Sequence, residues 1–471
     1  MFQLVGYSKQ EANRKGNAVF EVEKAITDKF IWGDESENPE KTYHKYTISN
    51  FSAATQIDWQ IVLSAFKVNL RQGDSVLVEE PGYFNSIHFL INSFPAKKWA
   101  AYLQWMLIYD MAPYLNNAIR QREFIFEKIL SGQQQKSQRW LWATNLVDDM
   151  LDGISGKLFV ESYFTDTAIQ KVTLMVDNLK SAFAERIKQL PWMTDVTKAA
   201  ALEKLLAISG KIGFPEKWPD YNGLTTNPNE FAGNIKRIKK WDYESMISQL
   251  GKPVSKDDWF ISLATVNAYY DRWQNAFFLP VGILQPPFFN LDADDAVNYG
   301  ALGSIIGHEL THGFDKYGSK FDKDGRLFEW WNKQDAQQFN KKVDSLINLY
   351  SKLTIGSQVY VDGAMTVDEN IADFGGLAIA YDAFKKTQQG KGNILIDGLT
   401  PDQRFFISYA QTWRSNVVAE TAYQNALIEE HTPDMFRCNV PLSNLDAFYE
   451  AFIIQKNDAQ FIPAGKRVKI W

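Results

Sequence analysis

The sequence predicts a mainly α-helical protein with a small β component, an α+β chain in two lobes. Three observations carry this reading. A chain of 471 residues with 45% hydrophobic and 14% aromatic content has enough apolar surface for a large core, and two or three domains are the ordinary outcome at this length. From Glu11 to about Ala207, apolar residues recur at three- and four-residue spacing. After Gly210 that period gives way to turn chemistry and a pair of strand-like runs.

In the first stretch the helical period is visible in Trp59-Val62-Phe66, Leu103-Met106-Leu107 and Ile169-Val172-Val176-Leu179. Glycine and proline fall at breaks such as Glu80-Pro81-Gly82 and Gln189-Leu190-Pro191. The most apolar long run, Trp99 to Leu115, contains Asp110 and reads as a buried core helix rather than a membrane span. Gly213-Phe214-Pro215, Lys217 to Asp220 and Gly223 to Asn229 are turns and loop. Leu263 to Tyr270 and Ala276 to Leu284 read as strands around the turn Asp271 to Asn275. Helices resume near Asn298, run to about Phe384, and return from Thr400. Residues 1–195 are accordingly assigned to a helical lobe with linking helices, and residues 196–471 to a second domain.

The net charge of −6, with no block of basic residues, argues against nucleic acid and anionic membranes as partners. Cys438 is the single cysteine, so no intramolecular disulfide forms and a reducing compartment is expected. The first residues are interrupted by Lys9, Glu11 and Arg14 and do not form a signal peptide. A cytoplasmic, monomeric protein is the expectation.

The chemistry concentrates in Gly307-His308-Glu309-Leu310-Thr311-His312-Gly313. Histidines four apart on a helix are offset by only about 40°, so His308 and His312 can ligate one ion. Glu309 lies about 100° around the helix from His308, so its carboxylate flanks the ion without ligating it. A general base that takes a proton from water must sit there. With five histidines in the chain, a chance arrangement of this kind is on the order of one in several hundred. The preceding run, Ala301 to Gly307, is apolar and glycine-rich, and a buried helix does not carry two histidines and a glutamate without partners for them.

A third ligand is required. The metzincin pattern would place glycine at 315 and histidine at 318, but the chain has Asp315 and Gly318. The best candidate is Glu369, in Val367-Asp368-Glu369-Asn370-Ile371-Ala372-Asp373-Phe374-Gly375-Gly376. Glu369 and Asp373 share a helical face, so one carboxylate can ligate while the other orients an imidazole. Asp315, three residues after His312, can orient the second. Gly375 and Gly376 would let the two helices approach closely. His44 and His88 have no partner at ligand spacing and read as structural, and Cys438 reads as a packed side chain.

These residues resemble the neprilysin-like (M13) zinc metallopeptidases, and within them the bacterial endopeptidase O type. Besides His308 to His312, the resemblance runs through Val266-Asn267-Ala268-Tyr269-Tyr270, Gly282 to Phe289, Asn298-Tyr299-Gly300, Gly313-Phe314-Asp315, Trp330-Trp331, Glu369 to Gly376, His431, Arg437 and Trp471. It implies a zincin-like catalytic lobe roofed by a helical lobe, one zinc ion per chain, and hydrolysis of short peptides by an endopeptidase. Zinc would be held by His308, His312 and Glu369, with Glu309, Asp373 and His431 catalytic. Asn267 and the Ala268 backbone would hold the substrate main chain, His431 would stabilise the oxyanion, and Arg437 would bind a carbonyl beyond the cut. Ile283, Phe288, Ile305 and Trp413 would line a pocket for a bulky apolar P1′ side chain. Family members carry a further N-terminal segment before the point where this sequence begins, so the helical lobe is expected to be incomplete relative to them. Two other readings stay open: a zinc-stabilised peptide-binding protein without activity, and a zinc aminopeptidase.

Overall fold

The computed structural model describes residues 1–30, 38–71, 73–356 and 359–471. The chain forms two compact units, Met1–Lys136 with Asp220–Val254, and Ser137–Pro219 with Ser255–Trp471. The boundary read from the sequence, between residues 195 and 196, falls inside the second unit, at the start of the helix Asp195–Ala207. Helical periodicity is continuous there, so nothing local marks a change of unit further upstream.

The first unit is helical. Side-chain caps start several of its helices: Ser8 for Lys9–Thr27, Thr47 for Ile48–Thr55, Asp58 for Trp59–Ala65 and Asn116 for Asn117–Ser131. The helix Ala96–Met111 lies where the sequence placed one, packed on Lys9–Thr27, but it is not a core helix. Only Ala101 is buried on it, while Leu103, Met106 and Leu107 are exposed. Two features went unread in the sequence. A short antiparallel pair joins His44–Thr47 to Ser75–Val78, and the helix Phe231–Ser248 follows the Gly223 loop. Among the described residues no helix is long and apolar enough to cross a membrane.

The second unit is built around the helix Val367–Lys386, which is buried along most of its length. Ser304–His312 crosses it on one side, and Asp166–Gln189 packs on it with Val172, Val176, Leu179 and Phe183 buried. A wide π-helical turn, Tyr299–Gly303, leads into Ser304–His312, a device often found beside functional sites. The sheet has three strands in the order Ser209–Gly213, Ala276–Pro280, Tyr269–Asp271. Ala276–Pro280 is central and wholly buried, parallel to the first strand and antiparallel to the third. The hairpin is the one expected from the sequence, but its first strand is confined to Tyr269–Asp271, and Ser209–Gly213 was not anticipated. Tyr269–Asp271 therefore forms an edge, and residues 266–268 lead into it beside the crossing of the two central helices.

Candidate metal centre

The crossing is close because of glycine. A β-carbon on Gly307 would lie 2.8 Å from the Gly376 carbonyl oxygen, and one on Gly375 would lie 2.4 Å from the Thr311 hydroxyl. At that separation the side chains of the two helices share one small volume. The ligand atoms of His308, His312 and Glu369 all lie within 4.8 Å of one another. The two imidazole Nε2 atoms are 2.9 Å apart, and each is 3.2–3.3 Å from a Glu369 carboxylate oxygen.

The far side of each imidazole explains why these atoms converge. His308 Nδ1 is 2.9 Å from Asp373 Oδ1, and His312 Nδ1 is 2.7 Å from Asp315 Oδ2. A carboxylate only accepts, so each Nδ1 carries a proton, and each Nε2, once it gives up its own proton to a bound ion, would offer a lone pair on the side of Glu369. Two lone pairs and a carboxylate aimed at one point match the donor set of a zinc ion. Glu309, 4% exposed, sits beside them with Oε2 buried and without a partner among the described residues. That atom has room for the proton of a water or a substrate.

Burial and charge compete throughout. Burial pulls the His312 imidazole down, but Glu369 and Asp315 together outweigh it and hold it well above the ordinary range. Burial pushes Glu369 up, and His312, His308 and His431 reverse this and hold its carboxyl well below. Asp373 is also lowered, with Arg437 as the main charge opposing its burial. Glu309 is raised, because desolvation dominates over its cationic neighbours.

Arg437 braces the site from behind. Its Nε and Nη2 donate to Asp373 at 2.8 Å, Nη2 reaches Glu369 at 3.2 Å, and its guanidinium lies 4.4 Å over the Trp413 ring. His431 reaches the same Glu369 oxygen with Nε2 at 3.1 Å while Glu429 accepts from Nδ1 at 2.7 Å. Burial lowers its pKa, but Glu369 and Glu429 lift it to about 9. The next residue, Thr432, is buried and donates to Asn370 at 2.7 Å, which ties this loop to the Glu369 helix.

A cavity of about 380 Å³ opens over these three side chains, His308, His312 and Glu369. Asn267, Ala268, Ile283, Phe288, Ile305, Trp413, His431 and Arg437 all line it, together with His308, Glu309, His312 and Glu369. Asp373 does not reach it, lying behind His308 and Arg437.

The comparisons with known proteins point to one family. Residues 267–468 match the model of peptidase family M13, and residues 1–215 match the family's N-terminal model. The zinc metalloprotease Zmp1 of Mycobacterium tuberculosis, solved with an inhibitor, is 34% identical with a TM-score of 0.94, and the match covers 99% of this chain and 72% of that one. The chain belongs to peptidase family M13. PepO from Lactobacillus rhamnosis is 26% identical with a TM-score of 0.92, over 100% of this chain and 73% of that one. Human neprilysin is 30% identical over 97% of this chain, and neprilysin-11 of Caenorhabditis elegans 31% over 96%. The M13 chain described here spans 64% and 55% of the lengths of those two relatives.

The sequence did not point to every residue around this M13 site. Arg272 and Asp434 also line the cavity, and they bring charge to it. Arg272 could have been found by following the strand two residues beyond Tyr270. Asp434 stands in the first turn of Asp434–Asn444, and nothing local signalled it. Asp368, which neighbours Glu369 in sequence, contacts Asp315. Desolvation and then the Asp315 charge push its carboxyl well above the usual range.

Proposed function

We propose that this protein is a zinc-dependent endopeptidase of short peptides, with one zinc per chain and a preference for a bulky apolar residue on the leaving side of the cut. The observation that carries the reading is the convergence of His308, His312 and Glu369 beside a buried Glu309 oxygen that has no partner among the described residues. His308, His312 and Glu369 would hold a zinc ion, which would supply Lewis acidity toward water and a peptide carbonyl.

The rest is the work of the chain. A peptide adds to the edge strand Tyr269–Asp271, where Asn267 and the Ala268 backbone fix its main chain beside the ligands. Glu309 takes a proton from the attacking water as the water oxygen bonds to the carbonyl carbon. It passes that proton to the leaving nitrogen as the C–N bond breaks. His431 donates to the developing oxyanion, a contribution that reaches about 3 kcal/mol for one donor in such sites. Asp373 and Arg437 keep the His308 ring fixed while charge develops. Ile283, Phe288 and Ile305 give the cavity an apolar wall for the side chain that follows the cut.

Glu309→Gln tests this reading with an internally quenched peptide blocked at both ends. The variant should bind zinc as the parent does, with kcat lower by about 10²–10⁴-fold. Equal, negligible cleavage by parent and variant would leave the inactive zinc-binding reading standing. Cleavage only of peptides with a free amino terminus would indicate an aminopeptidase.

A further inference from the structure

We propose that Lys204 is a positioning residue for the metal centre, holding the Gly318–Phe321 turn so that Asp315 keeps the His312 imidazole in its ligating orientation. The inference rests on the reading of His308, His312 and Glu369 as metal ligands.

Lys204 lies on Asp195–Ala207 and is 1% exposed. Among the described residues no carboxylate pairs with it directly. Its Nζ donates to two backbone carbonyls, Gly318 at 2.7 Å and Phe321 at 2.6 Å, and sits 5.6 Å over the Phe314 ring and 5.9 Å over the Trp330 ring. Removing a lysine from water without a carboxylate partner is costly, and burial pulls this amine down to about 7. For stability alone, an apolar side chain of similar volume serves as well or better. What distinguishes Lys204 is the pair of carbonyls it grips.

Those carbonyls belong to the turn that fixes Asp315. The Gly318 amide donates to Asp315 Oδ1 at 2.6 Å and the Tyr317 amide at 3.0 Å, while Asp315 Oδ2 takes the His312 Nδ1 proton at 2.7 Å. A continuous path therefore runs from Lys204 through the carbonyl and the amide on either side of the Gly318 α-carbon to Asp315 and His312. The turn is also folded flat on the end of the metal helix, since a β-carbon on Gly318 would lie 1.7 Å from the His312 carbonyl oxygen. A turn held this tightly transmits a shift at its carbonyls to the Asp315 carboxylate.

The test measures zinc affinity on the metal-free full chain, by competition with a chromophoric chelator. Lys204→Met keeps the volume and removes the donors. It should stay folded by circular dichroism yet bind zinc about 10-fold more weakly, the lower end of what outer-layer changes cost a metal site. A double-mutant cycle with Asp315→Asn separates positioning from general loosening: the Lys204→Met penalty should largely vanish once Asp315 is already disabled. Lys204→Gln, which keeps two N–H donors on a shorter stem, should fall between parent and Lys204→Met. Parental zinc affinity in folded Lys204→Met, or penalties that simply add in the cycle, would overturn the proposal. Failure of both Lys204 variants to fold without metal would assign Lys204 to folding alone and overturn it as well. A parent chain that binds no zinc would instead sink the metal-centre reading.

Discussion

Gly307 and Gly376 meet face to face where the helices that carry His308, His312 and Glu369 cross. A β-carbon on Gly307 would stand 2.8 Å from the Gly376 carbonyl oxygen, and one on Gly376 would stand 2.6 Å from the His308 amide nitrogen. The atoms in the way are backbone, which cannot swing aside as a side chain could. The separation of the helices, and with it the distance from Glu369 to the imidazoles, is thus set by the absence of two methyl groups.

Gly376→Ala should therefore act on the metal site through the helix crossing. Overpacking of this kind costs about 1–3 kcal/mol, and the helices can relieve it only by moving apart. Glu369 would then withdraw from His308 and His312. The variant should show a lower unfolding midpoint without metal and a zinc affinity reduced by about 10-fold or more. Thermal unfolding with a zinc titration reads both, and an unchanged affinity would show that the crossing has slack.

Asp373→Asn removes a charge that serves two partners, the His308 Nδ1–H and the Arg437 guanidinium. Zinc affinity should fall about 10–100-fold, as for other outer partners of metal-bound histidines. Arg437 keeps its contact to Glu369. The loss of stability should therefore lie toward the low end of the ~3–5 kcal/mol typical of a broken buried pair. Isothermal titration and chemical unfolding of the variant test the two effects separately.

The parts of this architecture that were legible in the sequence are those fixed by local geometry. His308, Glu309 and His312 stand out because one helical turn sets their relation, and Glu369 and Asp373 because an acidic pair stands among the apolar Ile371, Phe374 and Leu377. The strand Ser209–Gly213 was not legible. Ser-Gly-Lys-Ile-Gly has neither alternation nor bulk, and it is a strand only because Ala276–Pro280 pairs with it in parallel. Lys204 reads locally as one more lysine on a helix. The carbonyls it serves lie 114 and 117 residues further on, so only the tertiary fold gives it meaning. His431 shows the same limit, since its approach to Glu369 joins two segments that no local pattern relates.

Ile305 lines the cavity one turn before His308, beside Ile283 and Phe288. Ile305→Phe should fill part of the space assigned to the residue after the cut. One methylene in such a pocket is worth about 1–3 kcal/mol. The ratio of kcat/KM between peptides with phenylalanine and with alanine at that position should thus drop by at least about 10-fold. Zinc content should not change. A ratio equal to that of the parent would place the apolar specificity elsewhere.

Lys204 also makes a prediction about acid and base. Burial pulls its folded-state pKa down to about 7 from 10.5. Between those two values the unfolded chain holds a proton on this lysine and the folded chain does not, so protons favour unfolding. The contribution of Lys204 to stability must then rise as pH increases across that window, and its full cost is felt below pH 7. The slope is about 1.4 kcal/mol per pH unit in mid-window. Neutral Lys204 retains two N–H bonds, enough for both the Gly318 and the Phe321 carbonyl, so the grip on the turn survives deprotonation. Lys204→Met has no such group, and subtracting its stability from that of the parent cancels every other titration the two share. Urea unfolding of both metal-free proteins at pH 7, 8.5 and 10 should give a difference that moves steadily in favour of the parent as pH rises. A flat difference would mean that the amine stays charged in the fold, with the fields of Asp315 and Asp322 strong enough to offset its burial.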